Sequence, residues 1–307
     1  MFGLKNVSYS SESWVNEDKL CETKYLAKTM IHLRDIFKEF DNFEFAILST
    51  QDGNTIPATR KTDKKNILIW ISDEFGRYPD DLSQKFDFIF KSYIEQEGDN
   101  ISPFPLGYVT EVPEFPYKDI SQRKYNVFFS GNLNYNRRLF YYSLCRKLHK
   151  ILPSGFNPKY LINHYTRDYI LKIKSQFDHD FPSPSIVRFT NKFKTGINPN
   201  EYGKILSETK IVLCPKGFHS TECYRHYEAM RAGCIIISER LPETYLYKDS
   251  PIIQVDNWNN IHGIVENLLS NNKKLNELSL ASRKWYEDIL SENATAERMK
   301  ILLTEEI

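Results

Sequence analysis

The sequence predicts an α/β fold with two Rossmann-like domains in succession, each a parallel sheet layered with helices, facing a central cleft. Three observations carry the prediction. Short apolar runs alternate with helical segments along the 307-residue chain. A proline-bearing stretch, Val112-Pro113-Glu114-Phe115-Pro116, splits them into two series. Ile211 to Glu239 reads as a complete strand–loop–helix–strand unit.

Taken in order, residues 1–120 form the expected N-terminal domain. A helix is read from about Leu26 to Phe40, with Ile31, Leu33, Ile36 and Phe37 on its apolar side. Strands follow at Phe45 to Leu48, Asn66 to Ile71 and Phe86 to Phe90, and an extended run at Ile101 to Tyr108. Val109 to Arg123 read as a linker. The second domain, 121–285, opens with a strand at Tyr125 to Ser130, turns at Gly131-Asn132 and enters a helix running through Arg137-Arg138 to Leu148. A strand at Ser185 to Phe189, a helix at Asn200 to Ser207, the 211–238 unit and a strand at Ile252 to Val255 complete it. From Ile261 the chain reads as helical to its end, with 286–307 expected to pack back on the N-terminal domain.

Composition narrows the class. Hydrophobic residues make up 41% and charged ones 26%, as in soluble globular proteins. A net charge of +1 argues against a nucleic-acid partner. The 14% aromatic content suits a cleft for flat or sugar-like ligands, and equally the bias of a Lys/Asn/Ile-rich genome. The five cysteines (Cys21, Cys145, Cys214, Cys223, Cys234) are odd in number and lack CxxC spacing, so neither a zinc site nor a disulfide framework is expected. Cys214 and Cys234 read as small core residues. The first residues lack a signal-peptide core, and no run approaches the ~20 apolar residues of a membrane span. A cytoplasmic location is therefore expected. The pairs Arg60-Lys61 and Lys64-Lys65 are placed to touch anionic lipid, which would set the protein at the inner face of a membrane.

The chemistry concentrates between Ile211 and Glu239. A buried strand, Ile211 to Cys214, leads into a polar loop and a first helical turn carrying Lys216, His219, Ser220, Thr221, Arg225 and Glu228. A helix start offers backbone N–H groups and a positive dipole end to a phosphate. Arg225 adds a planar fork, and Glu228, one turn on, is placed to accept ribose hydroxyls. The same two residues would equally make a surface ion pair worth roughly a few tenths of a kcal/mol. The tight-turn residues Cys214-Pro215-Lys216-Gly217 and Ala232-Gly233-Cys234 on either side favour the deep strand–helix–strand reading.

Three segments resemble the exostosin-like glycosyltransferases, a family with the two-domain GT-B arrangement. They are Tyr125 to Leu139 (YNVFFSGNLNYNRRL), Tyr202 to Gly217 (YGKILSETKIVLCPKG) and Thr221 to Ile236 (TECYRHYEAMRAGCII). Leu241-Pro242 and the Trp258 region fit the same order, so the resemblance runs from about Tyr125 to Trp258. Phe90 to Tyr93 with Pro105 to Tyr108 matches the acceptor-side domain more weakly, since Lys91-Ser92 stands where Arg-Asn is usual. The resemblance implies a nucleotide-sugar donor on the second domain and a glycan or lipid-linked glycan acceptor on the first. Arg225 would bind the diphosphate, Glu228 the ribose, and Gly131 would let the backbone approach the donor. Arg137 or Arg138 would steady the phosphates, with Lys216 and Thr221 in the same donor set and Glu239 on sugar hydroxyls or the nucleobase. Preorganised donors of this kind are worth ~2.7–4 kcal/mol each where charge develops on a leaving group. No metal and no cofactor is expected, and Asp80-Asp81 reads as a helix cap.

The resemblance further implies inversion at the anomeric carbon, which needs a general base near the acceptor hydroxyl. Asp73 and Glu74, after the strongest strand of the first domain, and His219, in the loop after Cys214-Pro215, are the candidates. Asp73 and Glu74 would otherwise cap a turn and face solvent. The expected function is glycosyl transfer in surface-polysaccharide biosynthesis. A retaining transferase and a non-catalytic nucleotide-sugar-binding scaffold are its rivals.

Overall fold

The computed structural model describes residues 4–9, 21–49, 63–145, 166–192 and 196–305. The chain forms two compact units: Met1–Glu111 with Pro242–Ser250 and Trp285–Ile307, and Val112–Leu241 with Pro251–Lys284. Among the described residues, each unit holds one five-stranded, wholly parallel sheet.

In the first unit, β1 (Val7–Tyr9), β2 (Phe43–Ser49), β3 (Lys65–Ile71), β4 (Phe88–Lys91) and β5 (Ile101–Pro103) pair in that order. Phe45, Ile47, Ile67, Ile69, Phe88 and Phe90 enter one core, while the intervening Ala46, Leu48, Leu68, Trp70 and Ile89 enter another. Both faces are covered, which is why these strands read as unbroken apolar runs. The helices α1 (Thr23–Ile36) and α9 (Glu292–Glu305) cover the first face. Tyr25 joins them, its hydroxyl donating to Leu290 O at 2.7 Å and lying 2.6 Å from Thr295 Oγ1. α1 starts and stops earlier than its apolar pattern implies. Leu26, Met30 and Leu33 are its buried stripe, and Ile31, expected on the apolar side, is 37% exposed. The strand expected from Phe86 begins at Phe88, because the Phe86 N–H bonds Leu82 O at the end of α2 (Asp80–Ser83). Pro79, not an aspartate, holds the N-cap position of α2.

The second unit contains β6 (Tyr125–Asn132), β7 (Ile186–Thr190), β8 (Thr209–Cys214), β9 (Ile235–Glu239) and β10 (Ile253–Val255), ordered β10-β9-β8-β6-β7. The chain moves from β6 outward to β7, then returns to the other side of β6 for β8 and continues outward. The direction reverses between β6 and β8, a topological switch point, where ligands bind beyond the carboxyl ends of open α/β sheets. The helices are α3 (Arg138–Leu144), α4 (Arg167–Ile173), α5 (Pro199–Ser207), α6 (Tyr224–Arg231), α7 (Ile261–Leu269) and α8 (Asn272–Trp285). α3 ends at Leu144; the stretch to Leu148 that the sequence reads as helical lies outside the described residues beyond Cys145.

The expected linker is packed structure from Val112 onward. Arg231 Nη2 donates to Val112 O at 3.0 Å, and Ile120 is buried in the second core. Arg123, 3% exposed, donates to Lys118 O, Thr209 O and Ala232 O at 2.7–2.9 Å and so ties this stretch to β8 and the end of α6. The helical tail is broken after α7 and again by a π-helical turn, Tyr286–Leu290, before α9. No described helix is long and apolar enough to cross a membrane. Of the basic pairs, Lys64 meets Glu44 at 3.3 Å and Lys65 meets Asp87 at 3.4 Å; Arg60 and Lys61 lie outside the described residues.

Candidate functional site

The carboxyl end of β6 and the β8–α6 loop meet at the switch point. Asparagine side chains in the turn after β6 bind the loop through its carbonyls. Asn134 Nδ2 donates to Gly217 O at 3.2 Å, and Asn136 Nδ2 donates to Gly217 O at 3.4 Å and also to Phe218 O. Asn134 Oδ1 accepts from the N–H groups of Asn136 and Arg137, both at 3.0 Å, the local asparagine turn that lets α3 begin. Arg137 Nε donates to Lys216 O at 2.9 Å and Nη1 to Asn132 Oδ1 at 2.8 Å. Arg137 thus ties the carboxyl end of β6 to the β8–α6 loop across the notch.

Gly131 forms the floor. A β-carbon there would lie 3.0 Å from Arg137 Nη1 and 3.2 Å from Arg225 Nη2. The two guanidiniums also share the Phe129 ring, their Cζ atoms 5.8 and 5.0 Å from its centroid. Arg225, on the first turn of α6, donates from Nη2 to Ser130 O at 2.7 Å, while its Nε is buried without a partner. A buried donor without an acceptor costs about 1–3 kcal/mol, which an anionic oxygen placed there would offset. Burial alone would make this guanidinium easier to deprotonate, but Tyr202, Cys223, Cys214 and Glu228 around it raise its pKa. It stays charged.

Glu228 is 4% exposed and hydrogen-bonds the Tyr202 hydroxyl of α5. Burial, then the Glu228 carboxylate, hold that phenol well above its usual value. The Glu228 carboxylate therefore lies within the protein beside Arg225 and is not the arm of a surface ion pair. Glu239, at the carboxyl end of β9, accepts from Trp258 Nε1 at 2.6 Å and is partly exposed. Arg138 has other partners than Arg137: its Cζ lies 3.5 Å from the Tyr135 ring centroid and its Nε donates to Tyr135 O at 3.1 Å. Lys216 and Thr221 are partly exposed, and His219 is exposed.

Of the base candidates in the first unit, Asp73 is wholly buried. Its carboxylate lies 3.1 Å from Lys91 Nζ and 3.0 Å from Arg77 Nη2, and it accepts from the Arg77 N–H at 3.1 Å. Those contacts engage both oxygens, so the geometry gives Asp73 to an ion-pair network rather than to an acceptor hydroxyl. Glu74 is partly exposed. Among the described residues, no group of three or more His, Cys, Asp or Glu side chains is arranged to hold a metal ion.

The sequence reading gave no role to Phe129, Asn134, Asn136, Tyr202 or Trp258, although Tyr202 and Trp258 were among the residues that carry the resemblance. The Asn-x-Asn-x-Asn spacing after Gly131 was a legible turn signal. Nothing in the sequence marks Tyr202 as the partner of Glu228, because that contact depends on how α5 and α6 pack.

Residues 188–302 match the family described as "RXYLT1 C-terminal domain", an exostosin-like xylosyltransferase family. The exostosin-like resemblance holds over that segment, and the match supports glycosyltransferase activity for this chain. A comparison with curated proteins finds no match. Among solved structures, a GtfA/B complex aligns at 12% identity and a TM-score of 0.49, over 92% of this chain and 60% of that one. Anabaena Alr3699/HepE in complex with UDP aligns at 10% identity and a TM-score of 0.48, over 78% and 72%. Sucrose-phosphate synthase from Thermosynechococcus elongatus aligns at 10% identity and a TM-score of 0.45, over 85% and 73%.

Proposed function

We propose that the chain transfers a sugar from a nucleotide-sugar donor to a glycan or lipid-linked glycan, with inversion, without a metal, in surface-polysaccharide synthesis. One observation carries the donor reading: Arg137 and Arg225 converge on the side-chain-free face of Gly131 at the switch point. Two fixed guanidiniums and the start of α6 suit a diphosphate, and they would stabilise the charge that develops on it as the glycosidic bond breaks. Glu228 would hold the ribose through its position beneath Arg225, and Glu239, fixed by Trp258, would meet the sugar or the base. Glu74 and His219 are the proton acceptors in this reading, Asp73 being committed to Lys91. The protein would work in the cytoplasm, at the inner face of a membrane.

A thermal-shift panel of UDP-, GDP-, CMP- and dTDP-sugars tests this, because a ligand that binds only the folded state raises the melting temperature. The expected outcome is a rise with one nucleoside diphosphate family, abolished in Arg225→Ala. No rise with any of them would overturn the reading. Anomeric analysis of the product separates inversion from retention, and release of nucleoside diphosphate separates an enzyme from a scaffold.

A further inference from the structure

Cys223 occupies the N-cap of α6 in an extended conformation, φ −155° and ψ 159°. It is partly exposed, as is Cys21, whereas Cys145, Cys214 and Cys234 are buried. Its Sγ lies 3.3 Å from Nδ1 of His226. His226 is fully buried, and its Nε2 lies 2.8 Å from Ser238 Oγ. The Ser238 hydroxyl donates to Cys214 O at 3.2 Å, so its oxygen is left to accept from Nε2–H. That direction places the ring proton on Nε2 and leaves Nδ1, facing the sulfur, as the basic nitrogen. Nδ1 also accepts the Cys223 N–H at 3.2 Å and lies 3.1 Å from Cys223 O, a contact that becomes a hydrogen bond once Nδ1 carries the thiol proton. A nucleophile, a base and a group that orients the base stand in line, the arrangement that activates a thiol.

We propose that Cys223 is a nucleophilic thiolate and a covalent modification site, for electrophiles and hydroperoxides, on the rim of the Arg225 notch, with His226 as its proton acceptor. With iodoacetamide, the sulfur attacks the methylene carbon, the C–S bond forms as C–I breaks, iodide leaves, and the thiol proton remains on His226. With a hydroperoxide, the sulfur attacks the terminal oxygen and the O–O bond breaks. Sulfur is oxidised to the sulfenic acid, which keeps the hydrogen of the transferred oxygen, and the leaving alkoxide takes the proton held by His226 and departs as the alcohol. Electrostatics favour this thiolate. Burial works against it, but the charge and hydrogen bond of His226, then Arg225 and Arg137, bring the thiol down to about 7, while Cys214 and Cys234 are pushed up by burial. Burial pulls the His226 imidazole down, yet Cys223 and Glu222 carry it above its ordinary value. The consequence for donor binding rests on the proposed function; the reactivity does not. A group on Sγ would stand next to Arg225 at the start of α6, where the diphosphate would sit.

The test is per-cysteine labelling of the full chain with iodoacetamide at pH 7, read by peptide mass spectrometry with and without UDP or GDP. Cys223 is expected to label about tenfold faster than Cys21, with a pH midpoint near 7 in place of the ~8.5 of a free thiol. His226→Gln should bring Cys223 to the rate of Cys21 and leave Cys21 unchanged. Equal rates for the two cysteines in the unaltered protein, or a midpoint near 8.5, would overturn the inference without any variant having to fold. Fast labelling that neither diphosphate slows would support the thiolate and count against the donor reading, so the two failures are distinguishable.

Discussion

The Lys91 ammonium and the Asp73 carboxylate stand 3.1 Å apart with neither side chain exposed. Lys91 Nζ also lies 4.6 Å from the Trp70 ring centroid and donates to Ser92 O at 3.0 Å. Removing one member of a buried pair leaves an uncompensated charge, at a cost of about 3–5 kcal/mol. Asp73→Ala should therefore lower the urea midpoint by that order, and Lys91→Met in the same chain should restore part of the loss. An Asp73→Ala protein of unchanged stability and no transferase activity would return Asp73 to the role of base.

Gly131→Ala adds a methyl where two guanidiniums converge. Two of the three nearest neighbours are the ends of long side chains and the third is Cζ of the buried Phe129 ring at 3.2 Å, so the fold should tolerate the change at a modest cost in stability. The donor contacts should not: displacing one hydrogen bond to a charged group costs about 1.5–3 kcal/mol, or roughly ten- to a hundredfold in affinity. Calorimetric titration with the active nucleotide, alongside a melting curve, separates the two effects.

Arg225→Lys keeps the charge and loses the planar fork and its placement over Phe129. Activity should fall by about 10²–10³-fold, as when a preorganised donor to a developing anion is lost. Steady-state kinetics should show the loss mainly in kcat/KM. Equal activity in Arg225→Lys and the unaltered enzyme would mean that only charge matters there.

Glu292 sets a pH dependence in the first unit. Burial alone would raise its carboxyl, but the Tyr108 hydroxyl at 2.7 Å and Lys28 Nζ at 3.1 Å hold it below its ordinary value. The folded state then binds fewer protons than the unfolded state. Its contribution is complete above the unfolded pKa of ~4.3 and is lost as pH falls through the lower, folded value. Glu292→Gln should be less stable than the unaltered protein at pH 7, with the gap closing below pH ~4 in urea unfolding. A gap independent of pH would assign the effect to packing.

The apolar runs of β2, β3, β6, β8 and β9 were legible because a parallel sheet covered on both faces needs strands apolar at every position. Short or weakly patterned elements were not. β1 is three residues long, and α4 keeps only Leu171 buried. The stretch after Val109 looked like a linker because prolines and polar residues dominate it, yet Arg123 makes it part of the second unit through bonds to carbonyls distant in sequence.

By itself the sequence determined two α/β series and put Gly131 at the end of a strand and Arg137 and Arg225 at the starts of helices, because local periodicity and turn chemistry are written residue by residue. It could not decide between a surface pair and a buried Glu228, nor between a free and a committed Asp73. It also could not say that β8 returns to the far side of β6. Strand order and burial arise from contacts between residues as much as 265 positions apart, and such contacts alone bring two arginines from the starts of different helices to one glycine.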